Sequence, residues 1–590
     1  MHHSDRASAS LRSLFALVLP GVGALTLAAC SSGEIVDPAD QPDGTCQDGA
    51  CADDGADGTG ADDDDGSPGA GLTPPQPTSG SVAVTLHPGE SAAIGNPTVV
   101  SFGAPFPPGA LADVALLRAT DASGHELPIH AAELLPWRVW PGHSGTPSVR
   151  AARVSVEVTF AERAPLEIRL EIGAAPDAHL PAPGDPRAGW VDVTDGEYPA
   201  GTVREPPVYA AFTAEWLGAC QLHTRTTPVG SDPAWDWLDQ SFLGSAHTAV
   251  NDVPSSVSDA ERVPYTSDYE PWLFDRAATL FSAYTRTGDV DWLRRAHRAA
   301  QFYAAHVDGA GYFDLKEDPD LKYSYGRSLV LDLALTGDDD QVPVIERIAA
   351  AGKEWDPTYD LDTNFWTERH QAYALLAALS AWEATGDEQH AARADQIAEV
   401  SFAMAADPAG SWQAEGCTLH GMTAHEGAGG DVPVCSPWMS ALFADAVWAY
   451  YIQTGADDAL GFLAGLGHFV ADYGLYPGGE GIDLTLPWYL ASNEETFSDD
   501  GPWGDVEHTC DVAGLVARAA WAEKQLGHDP AELRATAEQL IEGCQWDLDM
   551  WHRPDAPAAG KTEWRLSPPR KFNWWFGTTS DLPWLMSETK

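Results

Sequence analysis

Side chains able to do acid–base chemistry gather at the predicted starts of helices in the middle of this 590-residue chain. One group is Arg369, His370 and Tyr373, in which the histidine and the tyrosine lie three positions apart and share one helix face. A histidine exchanges protons near neutral pH, a tyrosine can donate one, and an arginine can neutralise a carboxylate. The alternative is that His370 bonds within the helical bundle and Tyr373 belongs to the core.

Other predicted helix starts and one loop carry the same residue types. The further candidate catalytic residues are Tyr325, Arg327, Asn364, His425 and His508. His508 precedes Asp511 by three positions, so the carboxylate could orient the imidazole, or the two could form a plain surface pair. His425 lies on a Gly-rich insertion, and loops on a rigid scaffold often carry active groups. His420 and His425 could ligate a metal, but the spacing fixes no third ligand, so we predict no metal and no cofactor.

Tryptophan is abundant, with 23 residues. Many must be core, but a tryptophan at a helix start or in a loop offers a flat apolar face on which a sugar ring can stack. The candidate binding residues are Trp366, Trp412, Trp438 and Trp503. We therefore expect a polysaccharide or oligosaccharide as partner.

A repeated Thr-Gly-Asp turn indicates how these residues are positioned. It occurs at 287–289, 336–338 and 385–387, 49 residues apart, and a degenerate copy follows at 454–456. Glycine supplies the left-handed conformation that ends a helix, and aspartate can cap the next one. The period predicts helix pairs, which we place at 268–285 with 290–307, 325–335 with 341–354, 366–384 with 388–405, 437–453 with 458–473, and 508–525 with 530–548. A closed α/α-toroid of such hairpins, residues 206–555, is favoured over a tetratricopeptide-type superhelix, whose period is 34.

The hydrophobic period changes to two between 81 and about 205. Segments 81–86, 97–102, 113–119, 152–160 and 166–172 alternate or run β-branched between turn residues. They predict an antiparallel β-sandwich or barrel, so the fold class is multidomain α+β, with the toroid following the β domain. The tail, 556–590, is expected to be irregular and to pack on the body, because 562–577 is too rich in Trp and Pro for a helix.

The first 80 residues predict an exported protein. Residues 1–30 have a basic start, an apolar run and Leu27-Ala28-Ala29-Cys30, which resembles a bacterial lipobox with lipidation of Cys30. Residues 31–80 hold twelve acidic residues and no lysine or arginine, which predicts a disordered tether. The expected product is a bacterial lipoprotein, anchored to a membrane by its lipid at the cell surface or in the periplasm. The net charge of −55 argues against nucleic-acid binding.

Eight cysteines fit an oxidising compartment. With Cys30 lipidated, spacing favours pairs between Cys46 and Cys51, Cys417 and Cys435, and Cys510 and Cys544, which leaves Cys220 over. Sequence alone does not fix this connectivity.

The β region also contains a specific likeness. Ser101-Phe-Gly-Ala-Pro-Phe-Pro-Pro-Gly109, Asp121-Ala-Ser-Gly124 before Pro128, and Ser148-Val-Arg150-Ala-Ala-Arg153 resemble the N-terminal barrel of the exo-rhamnogalacturonan lyase (YetA-like) family. At 140–145 the chain departs from the pattern expected there. The resemblance implies a barrel followed by a toroid and a lyase acting on uronate-containing glycans, and it transfers no individual catalytic residue.

Three functions remain open. A lyase cleaving by β-elimination would use His370 or His425 as base, Tyr325 or Tyr373 as acid, and Arg327, Arg369 or Asn364 to neutralise the uronate carboxylate. An inverting glycoside hydrolase on the same scaffold would need two carboxylates instead. A non-catalytic glycan-binding lipoprotein would keep the aromatic cleft without chemistry. The lyase is the leading hypothesis.

Overall fold

The computed structural model describes residues 80–140, 147–245, 270–316, 318–356, 367–408, 416–422, 432–479, 481–498, 501–552 and 570–590. All of them belong to one compact unit, Gly66–Lys590. Cys30, Cys46, Cys51, Asn364, Trp366, Trp412 and His425 lie outside the described residues. Among the described helices, none is long and apolar enough to cross a membrane.

Residues 80–211, called the β region below, form antiparallel sheets. The strands are β1 Gly80–Pro88, β2 Pro97–Pro105, β3 Leu117–Asp121, β4 Glu126–Leu127, β5 Ile129–Trp137, β6 Ser148–Thr159, β7 Leu166–Ile172, β8 Val191–Asp192, β9 Arg204–Glu205 and β10 Val208–Ala211. One sheet has the order β10-β1-β7-β3-β4, a second has the order β2-β6-β5, and β8 pairs with β9. Alternation explains β1, where Val82, Val84 and Leu86 are buried between more exposed neighbours.

Two details of this region differ from the sequence prediction. Residues 114–116 form a 3₁₀ turn capped by Asp113, so the strand predicted from 113 begins only at Leu117. Strand β5 was not predicted, because IHAAELLPW does not alternate cleanly and is held instead by pairing with β6. The strands predicted at 81–86, 97–102, 152–160 and 166–172 are present.

Helices dominate residues 214–588, called the helical body. They are α1 Ala214–Ala219, α2 Asp236–Gly244, α3 Arg276–Thr287, α4 Val290–Ala305, α5 Gly326–Thr336, α6 Gln341–Gly352, α7 Glu368–Thr385, α8 Glu388–Ala406, α9 Pro437–Thr454, α10 Asp457–Tyr473, α11 Pro502–Asp505, α12 Thr509–Gln525, α13 Ala531–His552, α14 Lys571–Gly577 and α15 Leu582–Glu588. Short strand pairs join some of them: β11 His420–Gly421 with β12 Pro433–Val434, β13 Leu475–Pro477 with β14 Thr485–Pro487, and β15 Leu490–Ala491 with β16 Thr496–Phe497.

The predicted helix pairs are found, with two corrections. The first helix begins at Arg276 and not at 268, because Asp275 caps it and the preceding described residues, from Glu270, form a 3₁₀ turn. The expectation that 562–577 is too rich in Trp and Pro to be helical is wrong for 571–577, since KFNWWFG forms α14 and all its residues except Gly577 are buried. The described part of the tail, residues 570–590, packs against α3 and α12.

The Thr-Gly-Asp turns have the predicted geometry. Gly288, Gly337, Gly386 and Gly455 all end their helices in the left-handed conformation, with φ between 67° and 78°. In each copy the threonine hydroxyl donates to the carbonyl four residues earlier and accepts from the N–H two residues later. The second bond satisfies an N–H of the turn that lies outside the helical hydrogen-bond ladder, and the first fixes the hydroxyl in place for it, which explains why threonine recurs.

The helices that precede these turns are the more buried set. In α9, every residue from Pro437 to Ile452 is buried, whereas the helix after each turn keeps an exposed face. Each buried helix packs against the next in the series α3, α5, α7, α9, α12 and α14, and α14 packs back against α3. These six helices therefore form a closed series of packing contacts.

The β region packs against the turn end of these helices. An added Cβ at Gly288 would lie 2.7 Å from the Phe212 carbonyl oxygen, and Arg153 donates to the Gly337 carbonyl. Arg150 lies over the Trp137 ring and within 2.9 Å of the carboxylate of Glu383 near the end of α7. The two regions share one continuous hydrophobic core.

Candidate active site

A small cavity lies among the buried helices. Its volume is about 30 Å³, which admits one or two water molecules but no sugar ring. Its lining combines charged groups with apolar ones: His223, Phe274, Asp275, Ala278, Thr279, Arg327, Tyr373, Leu376, Leu442, Asp445, Asn573, Gly577 and Thr578. Polar side chains from several helices thus meet at one water-sized space.

Asp275 is held in an unusual backbone conformation. Phe274 and Asp275 both have positive φ, at 72° and 55°, which is costly for residues with a side chain. The Phe274 N–H donates to the Tyr325 hydroxyl at 2.8 Å, and the Asp275 carboxylate accepts from the Ala278 N–H at 3.1 Å as cap of α3. Burial raises the pKa of Asp275 to about 6, so this carboxyl group keeps its proton until the pH rises to about 6. Strain and a raised pKa together are typical of a functional carboxyl group.

Asp445 is kept in the opposite protonation state. Burial alone would raise its pKa, but Arg327 and Arg518 hold the pKa of this carboxylate well below its usual range. Arg327 donates to Oδ2, and an Arg518 nitrogen lies 3.2 Å from Oδ1. Among the described residues, none donates a well-formed hydrogen bond to Oδ1. Below about pH 6, one protonated and one ionised carboxyl group therefore line the same cavity, a pattern that separates acid from base.

His223 is fixed in one tautomer. Its Nε2 lies 2.6 Å from the Arg327 guanidinium, which can only donate, so Nε2 accepts and Nδ1 carries the hydrogen. Nδ1 then donates to the Ser282 hydroxyl at 2.9 Å. Burial and the charge of Arg327 lower the pKa of His223, which keeps the ring neutral. His223 therefore accepts a hydrogen bond from Arg327 and orients the guanidinium.

Tyr373 lines the cavity together with both carboxyl groups. Burial, together with Asp275 and Asp445, raises its pKa well above 10, so it can donate a proton but not act as a base. Its ring meets Tyr325 edge-on, with centroids 5.2 Å apart. The structure thus brings Tyr325, Arg327 and Tyr373 together.

A second cluster surrounds the start of α7. His370 Nδ1 forms the capping box with Thr367, and Nε2 lies 3.4 Å from Asp320. Burial lowers the pKa of His370, so the ring is neutral at neutral pH. Lys322 also lies beside Asp320, at 3.0 Å. Both ring nitrogens of His370 therefore face protein groups, the arrangement expected of a histidine bonded within the bundle.

His508 and Trp438 lie in an aromatic stack next to this cluster. The Trp438 and His508 rings stack at 4.9 Å, Trp574 lies 4.4 Å from His508, and Arg369 sits over Trp438 at 5.7 Å. Asp511 approaches His508 at 3.6 Å and also accepts from the Trp574 indole. Trp438 is buried, so it offers no open face to a sugar here, whereas Trp503 is 48% exposed.

The carboxylates and His223 were missed by sequence reasoning. Asp275 was absorbed into a helix thought to begin at 268, although an aspartate just before an amphipathic run is a capping signal. Asp445 had a clearer signal, because it is the one charged residue in the apolar helix PWMSALFADAVWAYYIQT. A lone carboxylate in a buried helix needs a partner or a function.

Two of the predicted disulfides are confirmed. Cys417 pairs with Cys435 and Cys510 pairs with Cys544, while Cys220 is free and buried. The first bond holds β11 beside β12, which places His420 3.3 Å from the Glu368 carboxylate.

Comparison with known proteins gives no family. No family model matches the chain, so the likeness to exo-rhamnogalacturonan lyases finds no support there, and no curated protein matches. Among solved structures, the chain is similar to an unsaturated glucuronyl hydrolase specific for heparin, with 12% identity and a TM-score of 0.39 over 60% of this chain and 97% of the other. It is similar to a family 76 glycoside hydrolase from a bovine Bacteroides thetaiotaomicron strain, with 9% identity and a TM-score of 0.36 over 86% and 97%. A sugar epimerase from a ruminal bacterium has 12% identity and a TM-score of 0.36 over 53% and 87%.

Proposed function

We propose that this chain is a glycan-processing enzyme, a glycoside hydrolase whose small cavity widens to admit the sugar, with Asp275 as general acid and Asp445 as its ionised partner. The observation that carries the proposal is that two carboxyl groups whose pKa values are shifted in opposite directions line one cavity. Hydrolysis of a glycosidic bond needs such a pair. The open tryptophan Trp503, with Trp546 at 5.8 Å, adds an aromatic surface suited to sugars.

The proton balance follows from these states. Asp275 gives its proton to the glycosidic oxygen as the bond to the anomeric carbon breaks, and the leaving sugar departs as an alcohol. Water held in the cavity adds to that carbon and passes a proton to Oδ1 of Asp445. A weakly basic carboxylate suffices, because water that is bonding to an oxocarbenium-like carbon becomes strongly acidic. The proton returns to Asp275 through water, which restores the starting state.

A β-eliminating lyase is the second candidate, since Arg327, Tyr373 and Asn573 share the cavity. Arginine and asparagine can neutralise a uronate carboxylate. Here, however, Arg327 is bound to Asp445, and the Asn573 amide nitrogen donates to the carbonyls of Pro271 and Leu273 at 2.7 and 2.8 Å. The Arg327 contact engages the hydrolase residue Asp445 equally, so it is the occupied Asn573 amide that favours the hydrolase.

The products decide between the candidates. The chain would be incubated with pectic, algal and glycosaminoglycan polymers while reducing ends and near-ultraviolet absorbance are both recorded. We expect reducing ends without new absorbance, and their loss in Asp275→Asn but not in the exposed control Asp291→Asn. Unsaturated, absorbing products would replace the hydrolase by the lyase. Neither signal on any polymer would support a non-catalytic glycan-binding protein.

We also propose that the chain is exported and anchored through a lipid on Cys30. The proposal rests on the basic start, the apolar run and the small residues that precede this cysteine. Such an anchor would give the enzyme access to polymeric glycans outside the cytoplasm.

A further inference from the structure

The β region contains a groove far larger than the central cavity. Its volume is about 550 Å³, within the usual range for small-molecule sites. Val99 and Ser101 of β2 and Glu157 of β6 form one side, and the segment 180–188 forms another. Trp190, Pro207 and Val208 complete the lining.

The side of the groove that lies on the sheet has a defined chemistry. Residues of β2 alternate, with Val100 and Phe102 buried in the core while Val99 is 49% exposed on the opposite face. Val99 lies opposite Glu157 and Ser101 opposite Ser155 in the antiparallel pair. Ser101 and Glu157 are therefore diagonal neighbours on one face, within reach of a single ligand. The two serine hydroxyls already hydrogen-bond at 2.8 Å.

The other side of the groove, formed by the segment 180–188 and Trp190 and called the proline-rich wall, supplies apolar surface. Leu180-Pro-Ala-Pro-Gly-Asp-Pro186 runs past the sheet, tied at its start by the Leu180 N–H to the Ile129 carbonyl. Trp190 is held edge-on against His297, with centroids 5.3 Å apart. Proline rings, a leucine and an indole face a space large enough for an aromatic bicycle.

The charge in the groove is negative and not neutralised by the protein. Glu157 is half-buried, and among the described residues none pairs with its carboxylate. Asp185 adds a second carboxylate, and the nearby cation Arg187 is paired with Asp340. A half-buried carboxylate without a counter-ion loses hydration without compensation. A cation binding there offsets that loss, and the −55 charge of the chain enriches cations around it.

We infer that this groove binds a small organic cation, an amine on a flat apolar body, with the amine on Glu157 and Ser101 and the body against the proline-rich wall. The inference concerns the β region alone and does not depend on the proposed hydrolase. A neutral or anionic molecule of the same shape gains the apolar contact but not the ion pair.

Three indoles of matched shape test the charge preference. Binding of tryptamine, tryptophol and indole-3-propionate to the full chain would be measured by calorimetry in 0.15 M salt. We expect tryptamine to bind at least tenfold more tightly than tryptophol, and indole-3-propionate more weakly than both. Equal binding of tryptamine and tryptophol would overturn the inference.

Two variants and one control locate the site. Glu157→Gln should remove the tenfold preference for tryptamine, whereas Glu167→Gln, a half-exposed carboxylate on β7 outside the groove, should keep it. Val99→Trp fills the groove from an exposed position and should abolish binding of all three indoles. Unchanged thermal unfolding would show that each variant is folded. A preference for tryptamine that survives Glu157→Gln, or binding that survives Val99→Trp, would place the amine elsewhere and refute the site.

Discussion

His297 and Asp332 form an ion pair that is closed off from solvent. The imidazole Nδ1 lies 2.6 Å from the Asp332 carboxylate, and both side chains are fully buried. The second ring nitrogen lies 2.9 Å from the carbonyl of Arg204, an acceptor in the β region. Two acceptors fit a doubly protonated ring, and although burial opposes the charge, Asp332 raises the pKa of His297 overall. The pair links α4 and α5 to strand β9.

Breaking this pair should cost much stability. In Asp332→Asn the buried imidazole loses its counter-charge, which typically costs about 3–5 kcal/mol. Since the folded-state pKa of His297 is raised, its contribution is full below pH 6.5 and is lost as pH rises through the folded value. The gap between variant and wild type should therefore narrow in alkaline solution. Urea unfolding from pH 5 to 9 measures this difference in the free energy of unfolding, with Asp291→Asn as exposed control. A difference that does not change with pH would contradict a charged His297 ring.

Asp275→Asn should abolish turnover and yet stabilise the fold at high pH. Asparagine keeps the cap and tolerates positive φ. A buried carboxyl group with a pKa of about 6 binds its proton more tightly folded than unfolded, so its contribution falls between about pH 4 and 6. The lost stability approaches about 3 kcal/mol above pH 6. The variant should match wild type near pH 4 and exceed it at pH 8 in urea unfolding. Parallel pH curves would show that Asp275 is not perturbed.

The sequence predicts local structure better than it predicts contacts between residues far apart in the chain. The helix at 437–454 and the turn at Gly455 follow from local patterns, a periodic apolar run and a left-handed cap, so both were predictable to within a residue. The meeting of Asp275 and Asp445 was not, because 170 positions separate them and only tertiary packing brings them to one cavity. The same limit applies to His223, which lies in the segment after α1 and meets Arg327 of α5 only through tertiary packing. The residue types at the predicted helix starts located Arg327 and Tyr373 but not the carboxyl groups that lie beside them.

The turn glycines should differ sharply in their tolerance of alanine. Gly288 and Gly527 both have positive φ, but an added Cβ at Gly288 would lie 2.7 Å from the Phe212 carbonyl, whereas at Gly527 it meets no atom within 4 Å. Gly527→Ala should cost about 1 kcal/mol for backbone strain alone. Gly288→Ala should cost about 3 kcal/mol, since backbone must also move. Thermal unfolding compares them, and equal losses would mean that the β region yields at this contact.

Cys30→Ser should release the chain from membranes. Lipid transfer needs the thiol, so the variant should remain unprocessed or soluble while the wild type partitions with the membrane fraction. Fractionation followed by immunodetection measures this, with Cys220→Ser, which changes a buried free thiol, as the matched control. Unaltered membrane association of Cys30→Ser would refute lipid anchoring at this residue.

The contact between Arg150 and Glu383 bears on where this chain can be cut. The change from strands to helices near residue 205 suggests a place to separate two modules. Yet a fragment beginning there would leave Glu383 in a buried setting without its arginine, and a fragment ending there would strip Arg150 of its carboxylate. Amino-acid composition and secondary structure change at this boundary, but the strands and the helices belong to one cooperative folding unit. Truncated forms for study should keep both sides, and homologous strands could be exchanged only together with the helix ends they cover.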